Sequence, residues 1–168
     1  MGTLEERVAA LETQLAELTA RLDQTPAPPA APEETFWALD ALRQRLPAGT
    51  GGVVYTGVVE AAPGERFEWQ YGASTDELLT ETDWSPAAAT LAALGHSVRL
   101  LLLREILQGR RTAAELTEVE GLGTTGQLYH HLRALSGAGW LRTTGRGHYS
   151  VPPERVVPLL VVLTAARR

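Results

Sequence analysis

One short segment, residues 124 to 133, concentrates hydroxyl, amide, imidazole and guanidinium groups. Four of its residues recur at i, i+3, i+4 and i+7, the spacing of one helix face: Gly126, Tyr129, His130 and Arg133. Three more open the same predicted helix: Thr124, Thr125 and Gln127. Such side chains near a helix N-terminus can reach base edges and phosphates, and a glycine lets the backbone come close. A solvated helix face would have the same composition, so the segment alone leaves both interpretations open.

The segment that follows this helix, WLRTTGRGHYSV, predicts two short strands joined by a tight turn. Gly145 and Gly147 suit the turn, and Arg146 lies at its tip. A cationic side chain on such a tip is well placed for a DNA minor groove or backbone. The helix and the basic hairpin together therefore favour DNA binding more strongly than either does alone.

A shorter helix precedes the polar one. Thr112 and Glu115 have the spacing of a capping box, as do Thr124 and Gln127, and the turn between the two helices contains the residues GLG. Helix, tight turn and helix is the helix-turn-helix order. The second helix also has an apolar stripe made by Leu128, His131, Leu132 and Leu135. His131 is therefore expected to be a satisfied residue of the core.

Other kinds of chemistry find little support. The chain has no cysteine, which excludes disulfides, thiolate nucleophiles and cysteine-based metal sites. His96, His130 and His148 lack ligand spacing, so we expect no metal and no cofactor. The G-x-G-x-x-G match at residues 121–126 follows a helix rather than a strand and is not a dinucleotide site. Carboxylates, serines and histidines show no nucleophile–base pairing, so we expect no catalytic residue and no enzyme.

The N-terminus carries an apolar repeat with alternating spacings of 4 and 3, which is typical of a coiled coil. Its members are Leu4, Val8, Leu11, Leu15, Leu18 and Leu22. A parallel pair is favoured because Arg7 would then face Glu12 of the partner. The alternative is that this stripe packs on its own protein. The proline-rich residues that follow predict a semi-rigid linker over residues 25–34.

The next module combines a brief amphipathic helix, stopped by Pro47, with a predicted β-hairpin. Its strands cover residues 52–60 and 66–72, which are rich in β-branched and aromatic side chains. Alternation places three aromatic residues on one face: Phe67, Trp69 and Tyr71. That face would either pack against a helix or line a ligand site. Ser74 and Glu77, just after the hairpin, have the spacing of a further capping box.

Two apolar helices bound the second half of the chain. Ser85 and Pro86 predict the start of an Ala-rich helix that runs to Gly95. The last helix is apolar on more than one face, which is more than one small core requires. We therefore predict a subunit interface formed by Leu159, Leu160 and Leu163. Pro158 marks either the start of this helix or a kink in it.

The charge is distributed unevenly along the chain. Residues 1–94 contain five Arg and fifteen Asp or Glu, a formal charge of −10, whereas residues 95–168 contain ten Arg and five acids, a charge of +5. A basic second half suits phosphate contacts, and an acidic first half suits solubility or protein contacts. No stretch approaches roughly 18 uninterrupted apolar residues, and Glu5 and Glu6 stand where a secretory signal would be basic. We therefore expect a cytoplasmic, nucleoid-associated protein with no membrane partner.

The second half resembles the winged-helix regulators of the ArsR type, over roughly residues 87–165. The similarity lies in LAALGHSVRLLLLREIL for the opening helices, LGTTGQLYHHLRALSGAGWL for the recognition helix and its turn, and RTTGRGHYSV for the wing. It implies a homodimer formed by the terminal helices. It also implies recognition by the positions that match Thr125, Gly126, Tyr129 and His130. Tyr129 departs from the small Ser usual in the family, and residues 116–119 lack the family's metal-binding cysteine pair.

The sequence thus predicts an α+β, mainly helical chain. It would comprise a coiled coil (1–24), a linker (25–34), a helix and β-hairpin module (35–84) and a winged helix-turn-helix domain for DNA binding and dimerisation (85–168). The expected function is sequence-specific recognition of double-stranded DNA by a homodimeric transcriptional regulator. One alternative is a protein-interaction adaptor, which predicts no salt-sensitive DNA affinity. Another is a regulator that senses a small molecule at the hairpin module, which predicts a ligand-dependent change in that affinity.

Overall fold

A computed structural model of the chain describes Val8, Glu12, Gln14 and residues 36–167. The chain divides into two compact units, Met1–Gln44 and Arg45–Arg168. In the first unit Val8, Glu12 and Gln14 are helical and exposed. The rest of the predicted heptad, Leu4, Leu11, Leu15, Leu18 and Leu22, lies outside the described residues, as does the predicted linker at 25–34. The brief helix before Pro47 is present as α1, Trp37–Arg45.

The predicted hairpin is present as β1, Gly52–Glu60, and β2, Arg66–Ser74, which pair antiparallel with Gly57 opposite Trp69. Val59 and Phe67, which are also paired, pack against the core.

A π-helical turn, Glu77–Glu81, follows β2. Ser74 Oγ accepts the Glu77 N–H at 3.0 Å, which is one of the two hydrogen bonds of the predicted capping box, but the residue that caps this turn is Asp76. The remaining elements are α2 (Ser85–Ala92), α3 (Ser97–Leu107), α4 (Ala113–Thr117), α5 (Thr125–Gly137), β3 (Arg142–Gly145), β4 (His148–Ser150) and α6 (Pro153–Ala165). Helix α2 ends at Ala92, three residues before the predicted Gly95. Pro158 lies inside α6, so the alternative in which it starts that helix is wrong.

Helix α6 packs directly on the hairpin. A Cβ on Gly57 would lie 2.8 Å from Val157 Cγ1, so the helix approaches β1 at a position where only glycine leaves room. The aromatic face of β2 is covered in part, because Phe67 packs on the core while Trp69 and Tyr71 remain 40% and 51% exposed.

Helices α3, α4, α5 and α6 and the second hairpin share one apolar core. Its most deeply buried members include Leu102, Leu103, Leu116, Leu128, Leu132, Leu135, Val156 and Leu159. The buried Trp140 donates its indole N–H to the carbonyl of Thr90 at 2.8 Å, which ties the end of α5 to α2. The buried Glu105 accepts from Arg104 and Arg110, each at 3.0 Å, so its charge is paired. The observed architecture is α+β, as predicted.

Within the described part of the chain, no single helix has the length and apolar character needed to cross a membrane. Helices α2 and α3 meet that requirement only when they are taken together, and they meet at an angle of 77°.

Candidate nucleic-acid interface

Helix α5 begins at a complete capping box. The Thr124 N–H donates to Gln127 Oε1 at 2.9 Å, and the Gln127 N–H donates to Thr124 Oγ1 at 3.4 Å, as the sequence predicts. The side-chain oxygen of Gln127 is therefore engaged in fixing the start of the helix. Thr124 and Gln127 were both predicted to contact DNA, and the structure joins them by hydrogen bonds.

The turn before α5 requires glycine. Gly121 and Gly123 have φ values of +88° and +78°, a region that L-residues rarely adopt. A Cβ on Gly123 would also overlap Gln127 Oε1, the acceptor of the capping box. The backbone of this turn and the cap of α5 thus depend on the same glycine.

Replacing Gly123 by Ala is expected to lower the free energy of unfolding by about 1–3 kcal/mol, because it adds backbone strain and displaces the cap. Urea unfolding followed by circular dichroism would measure the loss. Gly126→Ala is the matched control: it lies inside α5 with nothing within 4 Å of its Cβ, so it should leave stability unchanged or raise it by up to about 1 kcal/mol. Equal losses in the two variants would contradict this account of the turn.

The two faces of α5 differ sharply in exposure. Leu128, Leu132 and Leu135 are at most 1% exposed and fix the helix to the core. The polar face, defined as Gly126, Tyr129, His130 and Arg133, is exposed along with Thr124, Thr125 and Gln127. Within the described part of the chain, neither Tyr129 nor Arg133 has a side-chain hydrogen bond or an ion pair. Their polar groups are thus available to a ligand.

The second hairpin is held against the residues that lead into α4. The Tyr149 N–H donates to the carbonyl of Arg111 at 2.8 Å, and the Ala113 N–H donates to the carbonyl of Gly147 at 3.0 Å. Thr112 and His148 form an isolated antiparallel bridge. Main-chain bonds therefore fix β4 and the adjoining turn residue Gly147 to the start of α4.

Arg146 occupies the tip of that hairpin, between Gly145 and Gly147, and the φ of Gly147 is +74°. Its guanidinium is exposed and has no ion pair among the described residues, and no hydrogen bond described there joins it to α5. Arg142 is a second exposed cation, on β3, and its Nε donates to Ser150 Oγ at 3.3 Å. The residues predicted from the sequence to contact DNA do not include Arg142.

His131 is not the fully buried residue that the apolar stripe predicts. It is half-buried, and its ring lies 4.5 Å from that of His96 and 5.5 Å from that of His130, measured between ring centroids. Burial lowers the pKa of His131, and the neighbouring His96, His130 and Arg99 lower it further. We call His96, His130 and His131 the histidine cluster. In the described chain, no three His, Asp or Glu side chains are placed to hold a metal ion.

The predicted interface residues of α6 fall into two groups. Leu159 is 1% exposed, so its side chain belongs to the core of its own chain. Leu160 and Leu163 are half-buried and line a largely apolar cavity of about 690 Å³ between α3, β1 and α6, together with Val59, Leu100 and Leu107. Apolar surface therefore remains open along α6.

No family model, no curated protein and no solved structure matches this chain.

Proposed function

We propose that this chain is a transcriptional regulator that binds double-stranded DNA sequence-specifically as a homodimer. Helix α5 enters the major groove as a recognition helix, and the β3–β4 hairpin acts as a wing on the backbone or minor groove. The observation that carries the proposal is the division of α5 into a leucine face that is at most 1% exposed and a polar face whose Tyr129 and Arg133 side chains have no partner among the described residues.

The packing of α5 supports this role because reading base edges requires a rigid helix whose outer face is free. The core leucines and the capping box supply the rigidity. Tyr129 and His130, in the first half of the helix, are suited to base edges, and Arg133 to a phosphate. Gly126 has no side chain and lets the helix approach the bases.

The attachment of the second hairpin supports the role of a wing. Arg146 lies at the tip, and main-chain hydrogen bonds to Arg111 and Ala113 hold β4 and the adjoining turn. An arginine so presented can enter a narrow minor groove or pair with phosphate. The charge of +5 over residues 95–168 supplies a general attraction to DNA.

In vitro selection from a randomised duplex library would test the proposal. A two-fold symmetric dimer should enrich an inverted repeat whose half-sites lie about one helical turn apart. Recovery of no sequence above the input library, with folded protein, would contradict it.

The homodimer is assigned to the open apolar surface of α6 and to the N-terminal heptad. Leu160→Glu combined with Leu163→Glu should convert a dimer to a monomer at micromolar concentration, because each charge would be buried in the interface. Deleting residues 1–24 should weaken assembly yet leave a dimer. Multi-angle light scattering would measure both.

Leu79→Glu serves as the control, since Leu79 is 69% exposed on the π-helical turn and should tolerate the charge. A full-length wild-type chain that is monomeric at micromolar concentration would contradict the assignment of both elements.

The cavity beside α6 favours a second candidate, in which the regulator senses a small apolar molecule. Its volume of about 690 Å³ and its aliphatic lining are in the range of ligand sites. Its lining takes Val59 and Glu60 from the end of β1 and Ala61 just after it, and it includes none of the three aromatic residues of β2. A ligand bound there should change the affinity for DNA.

A further inference from the structure

We propose that the histidine cluster is a pH-sensitive latch between α3 and α5. Acidification through the range in which imidazole takes up a proton loosens the packing of α5 on α3. The consequence for DNA rests on the proposed function: a loosened α5 loses sequence-specific binding.

The first part of the latch is the N-cap of α3. His96 has an extended backbone, with φ −142° and ψ 126°, and its Nδ1 accepts the Val98 N–H at 3.2 Å. This hydrogen bond requires a neutral imidazole, because an imidazolium carries a proton on both nitrogens and cannot accept. Protonation of His96 at Nδ1 therefore removes the cap. It also places a positive charge at the positive end of the helix dipole.

The second part is the contact between the two helices. The His96 ring, at the start of α3, lies 4.5 Å from the ring of His131 on α5, and the ring of His130 lies 5.5 Å from that of His131, measured between centroids. Arg99 adds a fixed positive charge from α3, and its Nε is buried with no hydrogen-bond partner among the described residues. Among the ion pairs of the described residues, none includes any of these four groups. A proton added to His131 therefore meets like charge from His96, His130 and Arg99.

The direction of the effect follows from linkage. Burial and the neighbouring His96, His130 and Arg99 lower the pKa of His131 from its ordinary value of 6.5, so the unfolded chain takes up this proton at a higher pH than the folded chain does. The contribution of His131 to stability is therefore fully present above pH 6.5 and is lost as the pH falls below that value. Because His131 shares a helix face with Leu132 and Leu135, the loss of stability weakens the packing of α5 on the core.

The test compares the wild-type chain with a double variant, His96→Asn and His131→Phe. Asn keeps an N-cap acceptor, and Phe keeps a ring, yet neither titrates. Between pH 7.5 and pH 5.5 the unfolding equilibrium constant of the wild type, from urea titrations, should rise more than that of the double variant, by a factor of up to about ten. His148→Asn, which alters an exposed histidine outside the cluster, should keep the wild-type dependence. Equal dependence in the wild type and the double variant would overturn the latch.

Two further measurements complete the test. If the double variant fails to fold, an NMR titration of the wild-type imidazoles replaces it: His131 should titrate below pH 6.5, and titration at or above 6.5 would overturn the proposal. The second measurement is the affinity for a selected and a scrambled duplex at both pH values. The ratio of the two affinities should fall on acidification in the wild type and hold in the double variant. A wild-type ratio that does not change would overturn the coupling to DNA, whereas absence of specific binding at either pH would overturn the proposed function and leave the stability result standing.

Discussion

Truncating Arg133 and Arg146 together to Ala is expected to weaken binding to every duplex alike and to reduce its dependence on salt. Both guanidinium groups are exposed and lack an ion pair among the described residues, so each is free to neutralise a phosphate and release counterions. Each lost phosphate contact should lower the slope of log affinity against log salt by roughly one. Fluorescence anisotropy on a selected and a scrambled duplex, at several salt concentrations, would measure the change.

Arg66→Ala is the matched control for charge. Arg66 is an exposed arginine on β2 that pairs with Glu68 at 2.7 Å, and it lies outside the proposed interface. It should leave the salt slope as in the wild type. A double variant with an unchanged slope, or a control with the same loss, would contradict the assignment of Arg133 and Arg146 to phosphate.

Replacing Leu132 by Ala is expected to lower the free energy of unfolding by about 2–5 kcal/mol. Leu132 is 1% exposed and lies in the middle of the face that fixes α5 to the core, so truncation removes buried methyl groups and leaves a cavity. Urea unfolding monitored by circular dichroism would give the loss directly. Any fall in DNA affinity should then follow the fraction of unfolded protein.

Tyr129→Ala provides the comparison on the opposite face of the same helix. Its side chain is 41% exposed, so stability should change little, within about 0.5 kcal/mol, while preference at one base position relaxes at a cost of about 1–3 kcal/mol in specific binding. If Tyr129→Ala unfolds the protein and Leu132→Ala does not, the orientation assigned to α5 is wrong.

Local features of the fold were predictable because they depend on neighbouring residues. The bounds of β1 match the prediction, and two of the three predicted capping boxes, at Thr112 and at Thr124, are complete. Each of these features is encoded within a span of four to nine residues. The chemistry of a turn or a cap can be read from the residues that form it.

What could not be predicted depends on contacts between distant segments. His96 and His131 are 35 positions apart, and only the packing of α3 against α5 brings their rings together. Periodicity assigned His131 to the core because it alternates with leucines, but it lies at the edge of that face and stays half-exposed.

Helix α6 shows the same limit. Its apolar residues surround the helix, and the spacing alone could not say which side the hairpin covers. The structure packs Val157 against Gly57 and places Leu159 in the core, which leaves Leu160 and Leu163 beside the cavity. The sequence likewise did not decide whether the aromatic face of β2 packs against a helix or binds a ligand. Of its three residues, Phe67 packs on the core, whereas Trp69 and Tyr71 remain exposed.

The most direct test of the central claim is the affinity of the full chain for its selected duplex, compared with a scrambled duplex of the same length, at two salt concentrations. The account predicts salt-sensitive binding to both and a preference for the selected duplex of at least about 10³-fold. It also predicts that Ala at Tyr129, His130, Arg133 and Arg146 together abolishes the preference in a protein that circular dichroism shows to be folded. If the four substitutions leave binding unchanged in a folded dimer, α5 does not read DNA, and an adaptor that binds another protein becomes the better interpretation.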